Sequence, residues 1–166
     1  MNRKTIVFTG SMGAGKSLVA KRVGERLGRI VIELDHEIER YFGKPIPKIF
    51  EEDGEAAFRA VEAMLLRKFL RLPNVIISLG GGAFMQKHSR TLALANGRVI
   101  WLDAPIWTIV KRVRNDPNRP LAKDPWKLRR LYNKRRPLYA MAHARVDTSW
   151  RVERNLHDVL EAVKQK

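Results

Sequence analysis

Lys16 and Ser17 close the run Gly10-Ser11-Met12-Gly13-Ala14-Gly15-Lys16-Ser17, which has the spacing G-x-x-x-x-G-K-[ST]. Glycines at these positions let the backbone wrap so that several N–H groups converge on one anion. A helix starting at the end of the run adds its positive N-terminal dipole, and the Lys16 ammonium neutralises the outer phosphates. The Ser17 hydroxyl suits Mg²⁺. This is chemistry for holding a nucleoside triphosphate. It does not fix the reaction, because hydrolases and kinases share it, so the phosphoryl acceptor must be read from other residues.

Glu33 and Asp35 lie two residues apart at the end of an apolar run, an alternation that points both carboxylates the same way if the strand continues. Such a pair suits a metal shell and a hydroxyl acceptor; the alternative is that Asp35 caps a following helix. Arg59 follows Phe50 and Phe58 and precedes Glu62 by three positions. One guanidinium beside an apolar wall fits a cyclic carboxylic acid, although a surface arginine paired with Glu62 accounts for the same spacing. Gly80-Gly81-Gly82 offers backbone without side chains where a ligand must come close. Arg119-Pro120-Leu121 and Arg135-Arg136-Pro137-Leu138-Tyr139 could each supply a second guanidinium.

These residues need elements to hold them. Apolar runs at 5–9, 30–34, 75–79, 98–102 and 145–148 predict five strands, mostly continuous rather than alternating, as expected of a parallel sheet covered on both faces. Helical patterns fall at 17–27, around 35–42, at 54–72, and at about 86–96, 105–114, 125–143 and 151–164. Gly43-Lys44-Pro45-Ile46-Pro47 breaks the second of these from the third. Alternating strands and helices predict an α/β three-layer sandwich in one domain, 1–166, with ligands beyond the carboxyl ends of the strands. The polar, proline-rich stretch around 113–125 reads as a lid.

With 166 residues the chain suits a single self-supporting core. The absence of cysteine excludes disulfides, thiolate metal sites and a thiol nucleophile, and gives no sign of an oxidising compartment. The basic N-terminus leads into only four apolar residues before Thr9-Gly10, so it reads as a strand and not a signal peptide. No apolar stretch is long enough to span a bilayer, and a cytoplasmic location is expected. A net charge of +16 favours anionic partners without choosing among them. The lysines and arginines are scattered through helical stretches without the interleaved aromatics of a single-strand binding groove, so no nucleic acid is expected as a partner.

Taken in order, the phosphate loop, Glu33-Leu34-Asp35 with Ile38-Glu39, Ile49-Phe50 through Gly54-Glu55, Phe58-Arg59 and Glu62, the glycine triplet, Arg119-Pro120-Leu121, Arg135-x-Pro137-Leu138-Tyr139 and Val146-Asp147-Thr148 resemble the shikimate kinase family over nearly the whole chain. The resemblance implies a nucleoside-monophosphate-kinase-like P-loop fold with a five-stranded parallel sheet, a substrate-binding helical region at about 35–62 and a lid. It implies transfer of the γ-phosphoryl group of ATP to the 3-hydroxyl of shikimate on the route to aromatic amino acids, with Mg²⁺ as cofactor. Gly13, Ala14, Gly15, Lys16, Ser17 and Leu18 would hold the nucleotide, with Arg112 stacking on adenine and Arg119 closing with the lid over the transferring phosphoryl group. Asp35 would contact the substrate hydroxyls, Arg59 and Arg135 its carboxylate, and Gly81 and Gly82 the pocket wall. Lys16, Asp35 and Arg119 would act in catalysis, with Ser17 and Glu33 towards the metal, the latter through water. The protein would act as a monomer on small molecules.

Two positions depart from the family pattern. Glu33 stands where an aspartate is usual, so it reaches the metal or its waters with one extra methylene. Ser149-Trp150-Arg151 lacks the proline expected near adenine, and Trp150 either stacks there or belongs to core or surface. The same scaffold could serve gluconate or a nucleoside monophosphate, but the arginines and aromatic wall favour a compact carboxylate.

Overall fold

The computed structural model describes residues 5–113, 124–149 and 152–164, with backbone only at 152–154. Five strands, β1 (Thr5–Thr9), β2 (Ile30–Glu33), β3 (Val75–Ser78), β4 (Gly97–Asp103) and β5 (Ala144–Asp147), form one sheet in the order β2-β3-β1-β4-β5. Every pairing is parallel. Burial follows position in that order. All residues of β1 and β3 are buried, whereas the edge strand β2 leaves Ile30 70% exposed and β5 buries only Val146. The continuous apolar runs are therefore the central strands, covered on both faces.

Alternate residues of β1 separate the two faces. Ile6 and Phe8 join Ile76, Ile100 and Leu102 under helices α1 (Lys16–Leu27) and α8 (Val152–Lys164), where Val23 and Val159 are fully buried. Val7 joins Ile77, Val99 and Trp101 on the opposite face. There the cover comes from α2 (Leu34–Phe42), α4 (Gly54–Leu70) and α5 (Lys87–Asn96), through Ile38, Leu66, Phe69 and Ala93. Helix, sheet and helix thus form the three layers that the alternating pattern predicts. A smaller cluster, Ile109 and Val113 with Leu128 and Tyr132, joins α6 (Ile106–Val113) to α7 (Pro125–Tyr139).

Two expectations need correction. A further helix, α3 (Ile46–Glu52), lies in the segment between α2 and α4. Gly43, at φ 68°, ends α2, but Pro47 stands in the first turn of α3, where its missing N–H costs nothing, so the proline that signals a break also starts a helix. Second, β2 stops at Glu33, which is itself the N-cap of α2; Asp35 lies in the first turn and is not the cap. The strand alternation assumed for Glu33 and Asp35 does not extend to the aspartate.

The lid segment, and Arg119 with it, falls almost wholly outside the described residues, as does Trp150. No helix among the described residues is long and apolar enough to cross a membrane.

Candidate active site

The phosphate loop joins β1 to α1 through three glycines with positive φ: Gly10 at 145°, Gly13 at 74° and Gly15 at 87°. At Gly10 a Cβ would also run into the carbonyl of Leu102, so the turn is closed to other residues twice over. The outward carbonyls of the loop are tied down one by one. Lys16 Nζ donates to the carbonyls of Gly10 (2.8 Å) and Ser11 (2.9 Å), Arg112 Nη1 to that of Gly13 (3.1 Å), and Thr148 Oγ1 to that of Ala14 (2.8 Å). Holding the carbonyls this way fixes the loop as an anion nest, with the N–H groups of the first turn of α1, which have no intrahelical acceptors, at its end. Arg112 also donates to the carbonyl of Thr148 (2.7 Å), which bridges the loop after β5 to the phosphate loop.

The loop opens into a cleft of about 1000 Å³. Lys16, Ser17, Leu18, Glu33, Asp35, Arg59, Arg112 and Arg135 all line it, as do Gly13, Gly15, Gly81 and Gly82. Of the expected nucleotide-binding residues, Ala14 is fully buried and does not line the cleft. One wall is aromatic. Phe50 and Phe58 pack with ring centroids 4.7 Å apart, and the Arg59 guanidinium lies 5.0 Å from the Phe58 ring centre.

Arg59 is paired with Glu62 and also lines the cleft, so the ion pair does not take it out of the site. Its Nη1 donates to both carboxylate oxygens of Glu62, at 3.0 and 2.9 Å, and Nε to Glu55 at 3.3 Å. The Glu62 side chain is only 2% exposed. Burial pushes its carboxyl above the usual range even against the adjacent guanidinium, which lowers it. Glu62 is therefore a costly group whose visible effect is to aim Arg59.

The loop after β3 gives one glycine to each of three cleft-lining side chains. A methyl at Gly80 would overlap the Asp35 carboxylate, one at Gly81 would meet Arg135 Nη1 at 3.3 Å, and one at Gly82 would meet Arg59 Nη2 at 3.1 Å. Here the glycines make room for side chains; none of the three has a positive φ. Asp35 is pushed above the usual carboxylate range chiefly by burial, with Glu33 and Glu39 acting the same way and Lys16 opposing them. A carboxylate moved upward in pKa beside a lysine is a better proton acceptor than a solvated one.

Tyr139 holds this arrangement from behind. It is fully buried, its ring stacked between Phe84 (6.4 Å) and Trp101 (6.0 Å), and its hydroxyl donates to the carbonyl of Gly81 at 2.9 Å. Arg135 Nη1 donates to the same carbonyl at 3.0 Å. Two turns earlier on the helix, seven residues back, Tyr132 donates to Asp103 at 2.9 Å, so two tyrosines dock α7 on the sheet. Burial and that bond push the Tyr132 hydroxyl up to about 12.

A family model described as shikimate kinase matches residues 12–164. The shikimate kinase of Persephonella marina is 40% identical over 146 residues, covering 87% of this chain and 89% of that protein. That of Neisseria gonorrhoeae is 42% identical over 137 residues, 81% of either chain. The chain belongs to the shikimate kinase family. Shikimate kinase from Acinetobacter baumannii, solved in complex with shikimate, superposes with a TM-score of 0.90 at 36% identity over 99% of this chain and 97% of that one. The likeness confirms the fold class expected of the family, including the five-stranded parallel sheet flanked by helices.

Three further residues of the site carry tasks that their sequence context does not show. Gly80 belongs to the glycine triplet, Thr148 to Val146-Asp147-Thr148, and Tyr139 to the end of the Arg135 segment. All three stand inside recognisable motif segments, so a signal is present. Their tasks were invisible because each depends on a partner far along the chain: Asp35 for Gly80, Ala14 for Thr148, Gly81 for Tyr139.

Proposed function

We propose that this kinase transfers the γ-phosphoryl group of ATP to the 3-hydroxyl of shikimate, giving shikimate 3-phosphate and ADP. The observation that carries the reading is the gathering of Lys16, Asp35, Arg59 and Arg135 around one cleft: a phosphate-binding lysine, one shielded carboxylate and two guanidinium groups beyond it. Arg59 and Arg135 hold the substrate carboxylate. The Phe58 side packs against the ring, and Asp35 orients the acceptor hydroxyl and accepts its proton as the oxygen attacks phosphorus. Little covalent chemistry is asked of the protein, so alignment and charge neutralisation by Lys16 supply most of the catalysis. Arg112 faces the adenine end, and Arg119 is assigned by the family resemblance to the transferring group.

The donor set fits Mg²⁺. Ser17 and Glu33 offer oxygens on the same cleft, and no cluster of three or more His, Cys, Asp or Glu among the described residues forms an all-protein cage. Mg²⁺ characteristically takes one or two protein ligands and completes its shell with phosphates and water. When bound it supplies charge neutralisation between the outer phosphates. Ser17 would hold it directly and Glu33 through water. The reading further assigns a single domain, monomeric action and a cytoplasmic place.

Phosphorus NMR of the product tests the assignment. A single new phosphate ester coupled to the proton on C3 of shikimate is expected; inorganic phosphate alone, or an ester on another hydroxyl, would refute it.

A further inference from the structure

A second cavity, of about 500 Å³, lies between α7 and the β4–β5 edge of the sheet. It shares no lining residue with the catalytic cleft. Trp101 and Tyr139 form its base, Pro137 and three alanines its apolar sides, and Asn133, Arg136 and Arg145 its polar groups. No carboxylate lines it.

The two arginines differ in a way that matters. Arg145 is fixed: its guanidinium lies 5.1 Å from the Trp101 ring centre, and Nε (3.0 Å) and Nη2 (2.8 Å) both reach Oδ2 of the buried Asp103. The Tyr132 hydroxyl holds the other oxygen of that carboxylate. Arg145 is therefore pre-organised, with one edge committed to Asp103. Arg136 is exposed and has no ion-pair partner among the described residues. A guanidinium balanced by Asp103 and one without an ion-pair partner among the described residues meet at a partly apolar hollow that no carboxylate lines, so Arg136 gives the hollow a net positive charge in a chain that is itself +16.

We propose that this cavity is a second anion site, which takes a small, flat organic carboxylate. Its carboxylate is shared by Arg136 and Arg145, and its ring lies against Pro137 and the alanines. A guanidinium fork matches a carboxylate in plane, and the apolar sides favour a ring over a hydrated inorganic ion. The neighbouring arginines separate the two sites cleanly. Successive helical residues point about 100° apart, so Arg135 reaches the Gly81 carbonyl in the catalytic cleft while Arg136 faces the second cavity.

Benzoate is the probe, followed by saturation-transfer NMR on the full chain with the catalytic cleft filled by saturating shikimate and ADP. Saturable benzoate binding is expected under these conditions. Arg136→Ala and Arg136→Gln should each weaken it at least about tenfold, the loss of one charge-assisted pair, while leaving the KM for shikimate unchanged. Arg135→Ala should leave benzoate binding intact. The assignment is overturned if benzoate shows no saturable binding up to about 10 mM, or if it binds only when shikimate is withheld. It is equally overturned if both Arg136 variants bind as the parent does, or if sulfate displaces benzoate at equal concentration.

Discussion

Asp35→Asn is expected to lower kcat by about 10²- to 10⁴-fold, the range for loss of a positioned proton acceptor, with a much smaller change in the KM for ATP. The same substitution should raise the melting temperature at neutral pH. The native carboxyl is held above its ordinary pKa by burial, with Glu33 and Glu39 adding to the effect. An acid raised in this way burdens the fold once pH exceeds its unfolded value, about 3.9, and the burden is relieved as pH falls through the native value. The gain in melting temperature from Asn should therefore be full at pH 7 to 8 and vanish near pH 4. Gly80→Ala should reproduce the kinetic loss without the stability gain, because its methyl displaces the same carboxylate while leaving it charged. Steady-state kinetics and thermal melts across pH check both. An Asp35→Asn enzyme with near-normal turnover would remove the aspartate from the chemistry.

Arg59→Ala is expected to raise the KM for shikimate by about 10- to 100-fold, the worth of a charge-assisted bond to a carboxylate. It should also destabilise the protein, since it strands Glu62, whose side chain is 2% exposed, without its partner. Breaking a buried pair from one side costs about 3–5 kcal/mol, and the figure here should lie below that range because Arg59 itself is 25% exposed. Adding Glu62→Gln separates the two effects: the double variant should recover most of the melting temperature while its KM stays high. Recovery of KM along with stability would mean that Arg59 acts only as a structural partner of Glu62.

Much of this organisation was legible in the sequence because it rests on local patterns. The phosphate loop is a contiguous run, the strands are continuous apolar stretches, and their number and parallel direction follow from the helices between them. What stayed hidden was of two kinds. At the ends of elements, prolines and acids carry more than one meaning: Pro47 breaks one helix and opens another, and Glu33 rather than Asp35 takes the N-cap. The second kind is tertiary. That Gly80, Gly81 and Gly82 each clear space for a different side chain, and that Tyr139 braces Gly81 from the core, depends on partners about 20 to 60 residues away, which no local spacing encodes. Arg59 joins both levels, since its (i, i+3) pairing with Glu62 is local while its place on the cleft wall, expected from the motif, depends on how distant segments meet.

The most direct test of the central claim is ADP release from MgATP, followed with shikimate, gluconate and nucleoside monophosphates as alternative acceptors. Saturable release with shikimate alone is the predicted result, since the two guanidinium groups and the aromatic wall of the cleft are proposed to select a compact ring carboxylate. Equal or faster release with gluconate or a nucleotide, or release independent of any acceptor, would contradict it.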